Sequence, residues 1–179
     1  MEFIKAKLDG VYVIEPKPKA DARGYFARTF CKEELLAHGI EFDIKQANQS
    51  FTKKKGTIRG MHFQREPKAE AKIIQCLEGA VYDVAVDVRP DSATFGRWIS
   101  EELSKENGKM LYIPKGFAHG FQTLSNNCRM QYFMSEVYSP QHSAGIRWND
   151  SLFGIKWPLK PTIISKKDEK WPLMQGYLL

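Results

Sequence analysis

The sequence predicts an all-β chain wound as a jelly-roll β-barrel with short flanking helices. Three observations carry the prediction. Short stretches in which apolar and polar residues alternate run through residues 51–137. Clusters of Gly, Ser, Asn and Asp separate those stretches at the spacing of turns. Two glycine-punctuated patterns, Gly56-Thr57-Ile58-Arg59-Gly60-Met61-His62 and Gly108 through Pro114-Lys115-Gly116-Phe117-Ala118-His119, each set a histidine just past a turn, entering a strand.

Taken in chain order, residues 32–38 form the clearest helical stretch. Residues 81–88 alternate well: Tyr82, Val84, Val86 and Val88 face one way, Asp83, Ala85 and Asp87 the other, which predicts a strand with one apolar and one polar face. Strands at 97–103, 110–113, 121–124 and 130–137 continue the series. Asp91-Ser92, residues 104–108 and residues 125–127 supply the turns between them. Many short strands at this spacing favour a jelly roll, which manages its edges by pairing two sheets. Residues 157–172, with three prolines and two tryptophans, read as an irregular strap over the barrel, and there is no internal repeat. Met130 and Met134 read as core packing.

At 179 residues, with 42% apolar and 12% aromatic residues, the chain is expected to form one domain spanning 1–179 with a substantial core. No run approaches the roughly 18 apolar residues of a membrane span, and the first residues lack the apolar centre of a secretion signal. A cytoplasmic protein with no membrane partner is the expectation. Cys31, Cys76 and Cys128 are odd in number and widely spaced, which points to free thiols rather than a disulfide framework or a zinc site. The net charge of +6 has one dense source, Lys53-Lys54-Lys55, on a loop before the first histidine motif; it is either a solvated surface or an attractor of phosphate. With no helix-turn-helix, RNA-binding signature or basic helix, nucleic acid is not an expected partner. A phosphorylated metabolite explains the charge more economically.

Written as spacings, the two histidine motifs read G-x5-H and G-x5-P-x-G-x2-H, and together they resemble the half-motifs of the cupin β-barrel. Cupins often hold a metal there, with H-x-H in the first half-motif followed by a glutamate. Here the first half-motif reads His62-Phe63-Gln64, so the resemblance implies a barrel mouth with two imidazoles free for proton chemistry or hydrogen bonding, and no metal.

Five further blocks narrow the likeness: Asp21-Ala22-Arg23-Gly24-Tyr25-Phe26, Gln46-Ala47-Asn48-Gln49-Ser50, Arg59-Gly60-Met61-His62-Phe63-Gln64, residues 114–121, and Ser165-Lys166-Lys167-Asp168. In this order they resemble the dTDP-4-dehydrorhamnose 3,5-epimerase family, along nearly the whole chain. The resemblance implies a nucleotide-linked 4-keto-6-deoxyhexose as substrate, and a reaction that removes a proton beside the ketone and returns one to the opposite face. Such chemistry needs a base near neutral pKa, a group to hold the enolate, and an acid across the ring. By resemblance His62 is the base, Asp168 orients its imidazole, Lys72 holds the enolate oxygen and Tyr132 is the proton donor, with no metal or redox cofactor. Arg23, Arg59, His119 and Lys167 match anion and sugar contacts, Gln46 and Asn48 further contacts to the nucleotide-sugar, and Phe26 either stacks on the base or packs in the core. Asp83 either supports His119 or makes an ordinary buried hydrogen bond.

The family commonly carries glutamates where this chain has Arg28 and Ser143. That leaves the carrier open between dTDP and another nucleotide such as CDP, and leaves open inversion at C3 alone or at both C3 and C5. A metal-dependent cupin and a non-catalytic sugar-binding cupin are the competing readings. The resemblance also implies a homodimer that exchanges N-terminal strands, letting residues 25–28 reach the neighbouring subunit's site.

Overall fold

In chain order the strands are β1 (Glu2–Lys5), β2 (Tyr12–Glu15), β3 (Lys19–Asp21), β4 (Gly24–Phe26), β5 (Gln46–Thr52), β6 (Ile58–Gln64) and β7 (Lys72–Glu78). They continue as β8 (Ala80–Asp87), β9 (Trp98–Ser104), β10 (Met110–Ile113), β11 (Phe117–Thr123), β12 (Cys128–Met134) and β13 (Ser143–Gly145). Helix α1 (Lys32–Ala37) precedes β5, and α2 (Lys166–Glu169) follows β13. The structure is a computed structural model that describes residues 1–177. Leu178 and Leu179, the end of the expected 1–179 domain, lie outside the described residues.

The strands sort into a six-stranded sheet in the order β1-β2-β10-β7-β12-β5, a five-stranded sheet in the order β13-β6-β11-β8-β9, and a separate β3-β4 hairpin. Every pairing between named strands is antiparallel. The two large sheets pack face to face. Val13, Ile74, Leu111 and Met130 of the six-stranded sheet meet Val81, Leu103, Phe117 and Phe121 of the five-stranded one. Each such fully buried aliphatic or aromatic side chain contributes roughly 1.5–3 kcal/mol.

Both sheets are also covered on their outer faces. Leu35 of α1, with Ile40 and Phe42 beyond it, lies over Tyr12, Ile14, Ile73 and Tyr112. Ile146, Phe153 and Met174 lie over Met61, Val84, Val86 and Ala118. Double burial also settles what the two faces of 81–88 meet. The strand alternates as expected, and its polar face is the one turned into the barrel: Asp83 and Asp87 are fully buried beside Val81 and Ala85.

The expected strands at 97–103 and 110–113 are β9 and β10, while the one expected at 121–124 begins earlier, at Phe117, and the one expected at 130–137 is β12. The expected helix at 32–38 is α1. Residues 157–172 form the expected strap, fastened along β6 by Ile58 N–H to Ile163 O (3.0 Å) and Thr162 N–H to Gly56 O (3.0 Å). No helix among the described residues is long and apolar enough to cross a membrane.

Asp87 anchors the connection from β8 to β9. Its carboxylate accepts from Arg89 Nε (2.9 Å) and Nη2 (2.7 Å), Ser92 Oγ (2.6 Å) and Thr94 Oγ1 (2.6 Å). Burial pushes its pKa up, but the hydrogen bonds from Arg89, Ser92 and Thr94 outweigh that and bring it down to about 2. A carboxylate held below its unfolded value stabilises the fold above pH 4 or so, and that stability is lost as the pH falls through the folded value. Asp87→Asn is therefore expected to cost about 2 kcal/mol near neutrality. In denaturant titrations the deficit should persist above pH 4 and fade as the pH falls toward 2.

Candidate active site

At one end of the barrel the sheets enclose a cavity of about 720 Å³. Strand register decides what faces it. His119 on β11 lies directly opposite His62 on β6, so both imidazoles point to the same side. On the other sheet Tyr132 of β12 pairs with Asn48 of β5 and Ile74 of β7, and Met134 pairs with Gln46 and Lys72. Cross-strand partners share a face, which brings Gln46, Asn48, Lys72 and Tyr132 to the cavity together.

The histidine pair is pinned by a close approach of backbones. A Cβ on Gly60 would sit 2.5 Å from Gly120 Cα and 2.9 Å from His119 O, and Gly60 has φ +132°. The ladder shifts register between His119 and Phe121 at this point, a bulge of the kind that re-aims side chains beside functional sites.

Asp168 reaches His62 from the strap. Ser165 caps α2, its Oγ accepting from Asp168 N–H (3.1 Å). The Asp168 side chain is 5% exposed, and its Oδ1 lies 2.6 Å from His62 Nε2. Trp171 Nε1 donates to the same oxygen at 3.3 Å. Burial works against the charge on Asp168, yet the His62 ring, the Gly60 amide and the Ser165 hydroxyl hold its carboxyl below the ordinary range. An ionised carboxylate can only accept, so Nε2 carries the proton of the neutral ring and Nδ1 presents a lone pair.

The second histidine has a different setting. His119 Nε2 lies 2.9 and 3.0 Å from the two oxygens of Asp83, a pair whose side chains are 7% and 0% exposed. Burial pushes the Asp83 carboxyl up, against the pull of His119 and Lys72. His62, by contrast, has a side chain 43% exposed and open to the cavity.

Tyr132 hydrogen-bonds Ser50 Oγ at 2.9 Å, and its ring meets that of His119 edge-on. Burial holds the phenol well above its usual range, with Ser50 opposing; Tyr132 is therefore a neutral O–H at any physiological pH. Lys72 Nζ forms an ion pair with Glu70 Oε1 (2.9 Å) and donates to His62 O (3.1 Å). Arg59 donates to Thr52 Oγ1 (2.9 Å) and Phe51 O (3.1 Å) at the cavity wall, and Lys167 Nζ lies over the Trp171 ring.

Of the residues singled out from the sequence, His62, Tyr132, Asp168, Lys72, Gln46, Asn48, Arg59, His119 and Lys167 line this one cavity. Arg23 and Phe26 do not. They sit on the β3-β4 hairpin, where Arg23 pairs with Asp21, and Tyr25 and Phe26 are each 76% exposed. The stacking-or-core alternative for Phe26 is thereby decided against the core of this chain. Arg28 is engaged by Glu34 on the surface, while Ser143 lines the cavity. Met130 is core, as expected, but Met134 lines the cavity as well.

Sequence reasoning missed Ser50, Glu70 and Trp171. Ser50 was within reach, because Gln46, Asn48 and Ser50 fall at every second position of one strand. Gln64, which stands where a second metal-binding histidine would, spends its amide on chain fastening: Nε2 donates to Lys68 O and Val137 O, and Oε1 accepts from Ser139 N–H. Among the described residues no three His, Cys, Asp or Glu side chains are grouped to hold a metal ion.

A family model described as dTDP-4-dehydrorhamnose 3,5-epimerase matches residues 5–176. The enzyme of that name from Methanothermobacter thermautotrophicus is 44% identical over 178 residues, covering 97% of this chain and 95% of its own. The crystal structure of the Bacillus anthracis enzyme, with TDP and PPi bound, superposes with a TM-score of 0.93 at 42% identity, over 96% of this chain and 98% of that one. The Legionella pneumophila structure, in complex with dTDP-4-keto-L-rhamnose, gives 0.92 at 37% identity, over 97% and 93%. With matches that span both chains almost end to end, and a fold that superposes throughout, the chain belongs to the dTDP-4-dehydrorhamnose 3,5-epimerase family.

Proposed function

We propose that this chain, as one catalytic domain over 1–179, inverts C3 and C5 of a dTDP-linked 4-keto-6-deoxyhexose. The observation that carries the mechanism is the placing of a carboxylate-paired imidazole on one sheet and a partly buried phenol on the other, both lining one cavity. A binding protein needs no such division between a base and an acid.

The reaction follows from the geometry. His62 Nδ1 takes the proton from the carbon beside the C4 ketone, and Asp168 stabilises the imidazolium that results. The electrons of the broken C–H bond form the carbon–carbon double bond of an enolate, whose charge settles on the C4 oxygen. Lys72 has three N–H donors and is held by an ion pair with Glu70 and a hydrogen bond to His62 O; a remaining N–H serves that oxygen. Tyr132 then delivers its proton to the opposite face, and exchange with solvent restores both residues. Repetition at the second carbon requires only that the ring turn in the cavity.

Arg59 and Lys167 supply donors for the diphosphate and sugar, with His119, Gln46 and Asn48 beside them. The exposed β3-β4 hairpin supports a homodimer in which Arg23 and Phe26 complete the neighbouring subunit's site: Tyr25 and Phe26 are each left 76% exposed by their own chain. Ser143 in the cavity wall, where relatives commonly have glutamate, is the ground for testing a CDP-linked substrate alongside the dTDP-linked one.

Proton NMR in heavy water with dTDP-4-keto-6-deoxyglucose tests the reading: deuterium should enter at both C3 and C5, whereas entry at C3 alone would make the enzyme a 3-epimerase. Silence with the dTDP-linked sugar and turnover of the CDP-linked one would reassign the carrier. His62→Asn should abolish wash-in at both centres while dTDP still binds. Tyr132→Phe should slow formation of inverted product more than it slows deuterium wash-in, since the first proton removal does not use the phenol. For Asp168→Asn, whose amide would favour the wrong imidazole tautomer, kcat should drop by on the order of 10³–10⁴, with dTDP affinity measured by calorimetry unchanged.

A further inference from the structure

Lys72 and Glu70 form a buried pair whose side chains are 7% and 4% exposed, and both line the cavity. Glu70 Oε1 holds Lys72 Nζ at 2.9 Å, while its Oε2 is buried without a hydrogen-bond partner. Such a pair is a poor source of stability. Two ions have been taken out of water, and one carboxylate oxygen gains nothing in return. Native structures retain an arrangement of this kind where it serves a site.

The same ammonium spans the two sheets. Lys72 stands at the start of β7 in the six-stranded sheet, and its Nζ donates to the main-chain oxygen of His62 in the five-stranded one (3.1 Å). A lysine side chain has four rotatable bonds and, left with a single acceptor, would sample several positions in the cavity. Glu70 supplies a second anchor, the ion pair at 2.9 Å. Two fixed anchors hold the ammonium in place and leave N–H capacity for a ligand in the cavity.

We propose that Glu70 is a positioning residue that acts through Lys72, holding the ammonium so that a remaining N–H points at the oxygen on which the enolate charge develops. The inference rests on the catalytic reading of Lys72 given above. Glu70 itself touches no reacting atom. Its contribution is to orientation, present before substrate arrives, so it enters the chemical step more than the binding of nucleotide.

The test compares Glu70→Ala with Glu70→Gln in steady-state kinetics, with dTDP affinity measured by calorimetry. Alanine removes the acceptor; glutamine keeps a carbonyl oxygen that can still accept from Lys72 Nζ. We expect kcat of the alanine variant to fall by on the order of 10- to 100-fold, dTDP affinity to stay within about twofold, and glutamine to restore kcat to within about fivefold of the parent. An alanine variant with parental kcat overturns the proposal. So does a glutamine variant as slow as the alanine one, or a loss confined to KM and dTDP affinity. Should the alanine variant fail to fold, Glu70→Met keeps the volume, lacks the oxygen and takes its place in the comparison. His62→Asn separates the two levels: retained exchange in that variant removes the catalytic reading, whereas lost exchange together with a fully active Glu70→Met removes only the role of Glu70.

Discussion

At the crossing of β6 and β11 there is no room for a side chain on either strand. A Cβ on Gly60 would lie 2.5 Å from Gly120 Cα, and one on Gly120 would lie 2.6 Å from Met61 Sδ and 2.8 Å from Arg59 O. That backbone contact sets the register that puts His62 opposite His119. It also leaves the Gly60 amide facing Asp168 Oδ2 at 3.4 Å. The placing of the strap, the pairing of the imidazoles and the shape of the cavity all follow from two strands that touch without intervening atoms. Close packing turns an absence of side chain into a fixed distance.

Two histidine–carboxylate pairs then stand side by side with different environments. The His119–Asp83 pair is buried in the cavity wall, and burial raises the Asp83 carboxyl. The His62–Asp168 pair opens to the cavity, and the Asp168 carboxyl is held low. Identical chemical parts are thereby divided: one pair is reachable by a substrate proton, and the other is a fixed polar wall. Tyr132, whose phenol burial holds above its usual range, completes the set from the opposing sheet. Pairs of titratable groups pushed apart by their surroundings are how a single site separates proton acceptor from proton donor.

Much of this was legible in the residues, and what was not has a physical reason. The alternation in residues 81–88 gave β8 correctly, but period alone does not tell a solvated polar face from one turned into a barrel, and Asp83 and Asp87 are fully buried. Strands β1 to β4 span three or four residues each, too short for a period to register. The seven residues of β5 escaped for another reason: Gln46, Asn48 and Ser50 line the cavity and so carry no apolar signal. Most of the site was recovered because its blocks resemble a family, not because spacing implied convergence. Glu70 was outside those blocks, and only the three-dimensional pairing with Lys72 exposes it. The hairpin carrying Arg23 and Phe26 is likewise beyond a period to place, since it is three residues a strand with Tyr25 and Phe26 each 76% exposed.

The strap that carries Asp168 also divides the base from the group that readies it. The barrel strands end at Gly145, and Ser165, Asp168 and Trp171 follow some twenty residues later. On the proposed reading His62 belongs to the sheets and its tautomer to the strap. Displacing the strap would leave both imidazoles on their strands and remove the carboxylate that settles one of them. Readiness of the base is thereby a property of strap docking rather than of the barrel alone.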